Sequence, residues 1–274
     1  MDSKDNVAAR RRLRRRITNT LRKPTTLPTK LAEECDLVWG VYVRIWDLNP
    51  GYLNRQSLLG EHRELHAIVS IIINNKKGYS RHPETLRWKN FGWALNQRHR
   101  LLAAEMNLRG YMDRSPVFLK TQRTKWPEVF VDPPVTQLSI LAGKYKDKEQ
   151  GRIPLPKNVQ QLWAQHKYSV MARNAAEYKR IGRLVASSKT GRGMIDLYPE
   201  LVSLLRRPPG EGNLRNAIQH MWGYVFSYSS FTGKTIESKT TRSLLKKIQR
   251  LVFLHDVVYL KESTALGELN AWIR

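Results

Sequence analysis

Residues 53–75 read LNRQSLLGEHRELHAIVSIIINN, and the fold of the front half of the chain follows from this stretch. Apolar residues recur in it at steps of three and four positions, namely Leu58, Leu65, Val69 and Ile72. This spacing predicts an amphipathic helix with one buried stripe, because residues three and four apart share a helix face. Glu64 lies at the flank of that stripe, beside Ile68 and Ile71.

A basic loop and a second helix are predicted after this helix. The polar run 76–82, with Gly78 in it and Pro83 after it, ends the first helix. Asn90 can cap a second helix that ends before Gly110. The two helices therefore frame the loop.

A proline-rich stretch divides the chain. The prolines at 116, 127, 133, 134, 154 and 156 predict an irregular or extended connector between residues 115 and 156. Helical patterns return over 159–186, 194–206, 214–228 and 240–258, which predicts a small helical bundle. We therefore expect a mainly α protein with a basic disordered tail over 1–42, a front domain over 43–156 and a helical domain over 157–274.

The charge balance indicates the class of partner. The chain carries 48 Lys and Arg against 23 Asp and Glu, a net charge of +25, and its pI is near 10.4. Self-repulsion on this scale destabilises a compact chain unless a polyanion binds it, so we expect a nucleic-acid partner, with DNA ahead of RNA. The sequence has no apolar run of membrane-spanning length and no signal-peptide core, so we expect a cytoplasmic protein without a membrane partner, associated with the nucleoid or nucleus.

The sequence predicts neither a cofactor nor a metal site. Cys35 is the single cysteine, which excludes an internal disulfide and any cage of several thiolates. His62 and His66 are four apart on one helix face, but Glu64 stands third in His-Arg-Glu-Leu-His, whereas zinc proteases have the glutamate second. No third ligand is evident in the sequence, so we expect a packed His62 and a solvated His66.

The segment 43–88, VRIWDLNPGYLNRQSLLGEHRELHAIVSIIINNKKGYSRHPETLRW, and the segment LLAAEMNLRGY at 101–111 resemble the pyrimidine-dimer DNA glycosylases, typified by the phage endonuclease V. The most specific pieces are Arg44-Ile45, the helix residues 61–65, the loop 78–83 and the Arg-Gly-Tyr at 109–111. The resemblance implies an endonuclease V-like helical domain that excises damaged pyrimidines from DNA.

The resemblance also implies roles for particular residues. In that family the α-amino group at the chain start attacks the sugar of the damaged nucleotide and holds it as a Schiff base while a glutamate assists. The matching positions are Val43 for the chain start and Glu64 for the glutamate, with Arg44 and Arg63 as sugar or phosphate contacts. Arg81 and His82 match a DNA-contacting loop. From the residues alone, the favoured interpretation is that Glu64 is a surface acid that pairs with Arg63, Lys76 or a basic residue of the loop.

The chain departs from the family at its start, because 42 residues precede Val43. A peptide nitrogen is not a nucleophile, since its lone pair is delocalised into the amide. Either the extension is removed, or translation starts at position 43, or another group does the chemistry, such as water activated by Glu64. Ten Lys and Arg within residues 1–30 also suit a phosphate tether, a solvated tail or a transit peptide.

The back half contains the pieces HKY at 166–168, MA at 171–172, GRLVA at 182–186 and NAIQHMWGY at 216–224. On these pieces the stretch from about Val159 to the end resembles a domain of unknown function found fused to thiouracil desulfurases, an RNA-handling context. Cations and aromatics in it are candidate nucleic-acid contacts, namely His166, Lys167, Tyr168, Arg173, Arg183 and His220. His220, Trp222 and Tyr224 form either a base-stacking pocket or part of a core.

Three hypotheses remain open from the sequence. The first is a base-excision enzyme on damaged or dimerised pyrimidines in DNA, with AP-lyase activity if an amine is the nucleophile. The second is an RNA-binding or modified-base-processing protein that acts on a structured RNA such as tRNA. The third is a catalytically silent nucleic-acid-binding module. The sequence does not indicate an oligomeric state.

Overall fold

The computed structural model describes residues 43–119, 124–187, 192–229 and 237–273. Within these ranges the chain is helical and contains no β-strand, so the mainly α prediction is confirmed. The helices are α1 Arg55–Ile73, α2 Pro83–Trp88, α3 Gly92–Leu108, α4 Pro134–Lys144, α5 Val159–Met171, α6 Ala175–Ser187, α7 Arg192–Leu205, α8 Glu211–Trp222, α9 Thr241–Leu254, α10 Val258–Lys261 and α11 Thr264–Glu268. The predicted basic tail lies outside the described residues.

Helices α1 and α3 follow the sequence pattern closely. In α1 the stripe residues Leu58 and Leu65 are fully buried, and Val69 is nearly so. Helix α3 ends at Leu108, and Gly110 just beyond it has a φ of +83°. That left-handed conformation favours glycine and turns the chain away from the helix axis.

The first of two compact units contains the described residues 43–47, 59–99, 114–119 and 124–137. Its core includes Ile45, Leu65, Ile68, Trp88 and Leu95, all essentially inaccessible to solvent. Most of α1 and the whole of α2 belong to this unit. Glu64 and the segment that begins at Val43 therefore belong to the same compact unit.

The expected irregular connector is wrong for residues 134–144, which form helix α4. Pro134 is the first residue of this helix. Proline is tolerated there because the first amide nitrogens of a helix have no partner within the helix, and its fixed φ suits the helical turn. The adjacent Pro133 and Pro134 thus begin a helix, where the sequence analysis treated them as breakers.

The second compact unit contains residues 48–58 and 100–113 and the described residues from 138 onward. Helices α5, α8, α9 and α11 contribute to its core, which includes Met171, Ile218, Met221, Ile248 and Leu266. These four helices lie within the stretch 157–274 for which the sequence predicts a helical bundle, and the boundaries of that predicted domain stay a prediction. Among the described residues, none of the helices has the length and apolar character needed to span a membrane.

A buried ion-pair network in the second unit includes Arg109, the first residue of the Arg-Gly-Tyr motif. Arg109 donates to Glu105 and to the carbonyl oxygen of Leu53, each at 2.7 Å, and Arg152 donates to Glu105 at 2.7 Å. Burial alone would raise the pKa of Glu105, but the charges and hydrogen bonds of Arg152 and Arg109 hold it below its ordinary value. Arg109 is therefore a structural residue of this unit.

Candidate active site

The extended segment 43–47 is fixed by side chains that accept hydrogen bonds from its backbone. Two of these side chains come from helix α1 and one from helix α4. The contacts are Glu64 Oε2 with the Arg44 N–H at 2.8 Å, Glu61 Oε1 with the Trp46 N–H at 3.1 Å, and Gln137 Oε1 with the Asp47 N–H at 2.9 Å. The segment is thereby held against the face of α1 that carries Glu61 and Glu64.

This arrangement places Val43 beside Glu64. The backbone nitrogen of Val43 is three covalent bonds from that of Arg44, so it lies within roughly 7 Å of the Glu64 carboxylate. Both Val43 and Glu64 are partly exposed to solvent. The two positions that the glycosylase resemblance singles out are therefore neighbours in the structure, although they are 21 positions apart in the sequence.

Glu61 supports this arrangement from the interior. Its carboxylate accepts from Arg98 Nε and Nη2 at 2.7 Å each, and both side chains are almost wholly buried. Burial raises the pKa of Glu61 to about 7, against the lowering effect of Arg98, and the neighbouring charges of Glu64 and Asp47 raise it further. The pair connects α1 to α3 one turn of helix before Glu64.

The side chain and the backbone of Arg44 have different partners. Its guanidinium forms an ion pair with the buried Asp132 and lies 5.0 Å from the Trp46 ring centroid. It is 13 % exposed, so its charge is largely committed within the first unit. The predicted contact between Arg44 and nucleic acid stays a prediction.

A second buried cluster fixes Asp47, and sequence reasoning missed it. Arg87 of α2 donates to Asp47 at 2.8 Å and lies 3.1 Å from Glu84. Burial raises the pKa of Glu84 to about 7, against the lowering effect of Arg87. The spacing of Glu84 and Arg87 within one helical turn is visible in the sequence, but their link to Asp47, some forty positions away, is not.

The basic loop after α1 is exposed. Lys76, Lys77 and Arg81 are solvent-exposed, and Tyr79 in the same loop is 43 % exposed. Arg63 on α1 is also exposed, and its Nε donates to the Leu59 carbonyl oxygen at 3.3 Å. Two of the predicted nucleic-acid contacts, Arg63 and Arg81, thus lie at the surface.

His82, another predicted contact, lies in the interior. It is 5 % exposed, and its Nδ1 accepts a hydrogen bond from the Glu84 N–H at 3.2 Å. Burial lowers its pKa to about 4, so it is neutral at physiological pH. The geometry makes His82 the N-cap of α2, a structural role that argues against a direct contact with a phosphate.

Three histidines of the first unit lie together on the other side of α1. His62 and His66 approach each other with Nε2 atoms 3.3 Å apart, and His99 of α3 packs against both. The ligand nitrogens of the three rings all lie within 4.8 Å of one another. The sequence placed His62 and His66 on one helix face without a third ligand, and the packing of α3 brings His99 next to them.

Three predicted contacts in the second unit are buried. His166 is 1 % exposed and donates from Nδ1 to the Leu162 carbonyl oxygen at 2.8 Å, and burial lowers its pKa to about 4. Arg173 pairs with Glu268 at 2.9 Å and donates to the carbonyl oxygens of 169, 205 and 207. Tyr168 is 4 % exposed within the core. These placements give the three residues structural roles and argue against direct nucleic-acid contacts.

Other predicted contacts of the second unit are accessible. Arg183 and His220 are exposed, and the Lys167 ammonium lies 5.0 Å and 4.9 Å from the ring centroids of Tyr168 and Tyr259. Trp222 is only 4 % exposed and belongs to the core, whereas Tyr224 is 44 % exposed and stacks on Tyr259. The burial of Trp222 therefore favours a place in the core over a role in a base-stacking pocket.

Comparison with protein families gives two matches, in the order that the sequence predicts. Residues 167–236 match a protein family of unknown function, DUF1722. No curated protein and no solved structure matches the chain. Residues 43–119 match the family described as pyrimidine dimer DNA glycosylase, so the segment that holds Val43 and Glu64 together is similar to a DNA-repair glycosylase whose substrate is DNA.

Proposed function

We propose that this protein is a DNA glycosylase that acts on dimerised pyrimidines, with Glu64 as its catalytic carboxylate. The observation that carries the proposal is the 2.8 Å hydrogen bond from the Arg44 N–H to Glu64 Oε2. It places a partly exposed carboxylate next to the residue at which the glycosylase match begins. Base excision by an amine requires a carboxyl group next to the α-amino group at the start of the chain.

In the proposed reaction the nucleophile is the α-amino group of a chain that starts at position 43. The neutral amine attacks the C1′ atom of the damaged nucleotide, and the bond between C1′ and the base nitrogen breaks. The amine gives up two protons in all: one goes to the departing base, and the other is carried by Glu64 to the ring oxygen as the sugar opens to a Schiff base. Loss of a C2′ proton from that Schiff base then expels the 3′ phosphate and cuts the strand.

The surface around the loop supports binding of a polyanion. Arg63, Lys76, Lys77 and Arg81 present exposed cations, and Tyr79 adds an exposed aromatic ring that can stack on an unpaired base. The damaged nucleotide must leave the base stack before the enzyme can reach its sugar. Because a pyrimidine dimer already pairs poorly, the free energy needed to move it out of the stack is lower.

The direct test uses a chain with a free α-amine at position 43, carried by Val43 or by a methionine in its place, which we call the Val43-start form. Incubated with ultraviolet-irradiated duplex DNA, it is expected to cut the irradiated strand at pyrimidine dimers and to leave unirradiated duplex intact. Equal cutting of both duplexes would exclude lesion recognition. Activity on structured RNA instead of irradiated DNA would favour an RNA-processing function.

We expect binding to DNA that weakens steeply with salt and that is reduced but not lost when the N-terminal extension is removed. Residues 1–42 contribute ten Lys and Arg and five Asp and Glu, which leaves a net charge of +20 for the chain from Val43 onward. Counterion release therefore remains large after truncation, so affinity should fall without being lost. Fluorescence anisotropy of a labelled duplex at several salt concentrations measures this. Complete loss of binding on truncation would place the main binding surface in the extension.

A further inference from the structure

The three histidines on helices α1 and α3 suggest a function that base excision does not use. Glu64 lies about half a helical turn from His62 and His66, so it sits on the opposite face of α1. The contacts that fix the segment 43–47 involve Glu61 and Glu64 but none of the three imidazoles. The histidine cluster is therefore a separate feature of the first unit.

We propose that His62, His66 and His99 form a binding site for a divalent zinc-type metal ion. A tetrahedral zinc ion with nitrogens at 2.0–2.1 Å separates its ligand nitrogens by about 3.4 Å. The Nε2 atoms of His62 and His66 are 3.3 Å apart, and a nitrogen of His99 lies within 4.8 Å of both. Binding of the ion requires the His99 nitrogen to lie about 3.4 Å from the other two.

The orientation of the rings favours a ligand over simple packing. The ring centroids are 4.6 to 5.1 Å apart and the nitrogens converge. His99 is 4 % exposed, while His62 and His66 are partly exposed, so an ion has access from one side.

The surrounding structure holds the site in place. Glu61 and Arg98 form an ion pair with two N–O distances of 2.7 Å. Glu61 directly precedes His62 in α1, and Arg98 directly precedes His99 in α3. The ion pair fixes the separation of α1 and α3 at the level of the imidazoles. A preformed set of ligands of this kind lowers the conformational cost of binding an ion.

The ligand chemistry limits which metal fits. Three neutral imidazoles suit Zn²⁺ and neighbouring late transition metals, whereas Mg²⁺ and Ca²⁺ prefer oxygen ligands. The class of ligand is therefore a zinc-like divalent ion.

Titration of the full chain, stripped with a chelator, tests the proposal by calorimetry with Zn²⁺. We expect one ion per chain with micromolar or tighter affinity, at least about 100-fold weaker binding for His66→Gln, and no binding of Mg²⁺. The matched control is His255→Gln, because His255 is exposed and outside the cluster. Zn²⁺ should also raise the Tm of the unaltered chain and of the control but not of His66→Gln.

Cobalt provides a second readout that does not depend on stability. Co²⁺ bound by three imidazoles should give a visible ligand-field absorption band, and this band should be lost in both His66→Gln and His62→Gln. Absence of saturable Zn²⁺ binding to the unaltered chain would overturn the proposal. Equal Zn²⁺ binding by His66→Gln and the unaltered chain would also overturn it, because the ion would then lie elsewhere.

Discussion

Replacement of Glu64 by glutamine is expected to lower the rate of strand cleavage at pyrimidine dimers by about 10²- to 10⁴-fold, the contribution of a positioned acid or base. The amide has the size of the carboxylate and its oxygen can still accept from the Arg44 N–H, so the segment 43–47 should stay in place. The amide cannot carry a proton at neutral pH. Single-turnover cleavage of irradiated duplex by the Val43-start form measures the loss.

The matched control for this substitution is Glu128→Gln. Glu128 is an exposed glutamate of the same compact unit, so its replacement removes the same charge. We expect near-normal cleavage by Glu128→Gln, and equal DNA affinity for both variants in the anisotropy assay. Normal turnover by Glu64→Gln would contradict the catalytic assignment and favour a silent binding module.

The part of the fold that the sequence predicts is the part governed by local periodicity. The apolar spacing of Leu58, Leu65 and Val69 defined α1, and Gly110 marked the end of α3. The failure at α4 has a local cause as well. Pro133 and Pro134 were treated as breakers, although proline in the first turn of a helix is compatible with the helix that follows.

The candidate site was predicted from resemblance and could not be derived from spacing. Nothing in the residues alone brings Val43 to Glu64, because the contact depends on how an extended segment packs against α1. Asp132 and Gln137 reach that segment from about 90 positions away, and His99 reaches His62 from the next long helix. Such contacts are set by tertiary packing, which no periodicity encodes.

Burial of polar side chains was the other limit of the sequence analysis. His82 was assigned to a nucleic-acid contact from the family resemblance, and His166 and Arg173 because cations beside aromatic residues suit phosphates and bases. His82, His166 and Arg173 are buried instead, since each has hydrogen-bond partners within the fold that offset the cost of desolvation. Arg63, Arg81 and Arg183 lie at the surface, and their contacts with nucleic acid stay predictions.

Treatment with borohydride should trap the Val43-start form covalently on irradiated DNA and should leave the full-length chain almost untrapped. Borohydride reduces a Schiff base to a stable amine, so the trapped fraction reports the nucleophile directly. An α-amino group has a pKa of about 8 and a lysine one of about 10.4, so at neutral pH far more of the α-amine is in the reactive neutral form. Gel electrophoresis of labelled duplex after reduction measures the trapped fraction.

The comparison identifies the nucleophile because every lysine from position 76 onward is present in both forms. Lys76 and Lys77, exposed in the loop after α1, are the competing amines. Acetylation of the α-amine of the Val43-start form should abolish trapping if that amine attacks the sugar. Equal trapping of both forms would move the nucleophile to a lysine. Failure of both forms to be trapped, with alkali-sensitive abasic sites still produced, would show that water attacks the sugar and that Glu64 acts by activating it.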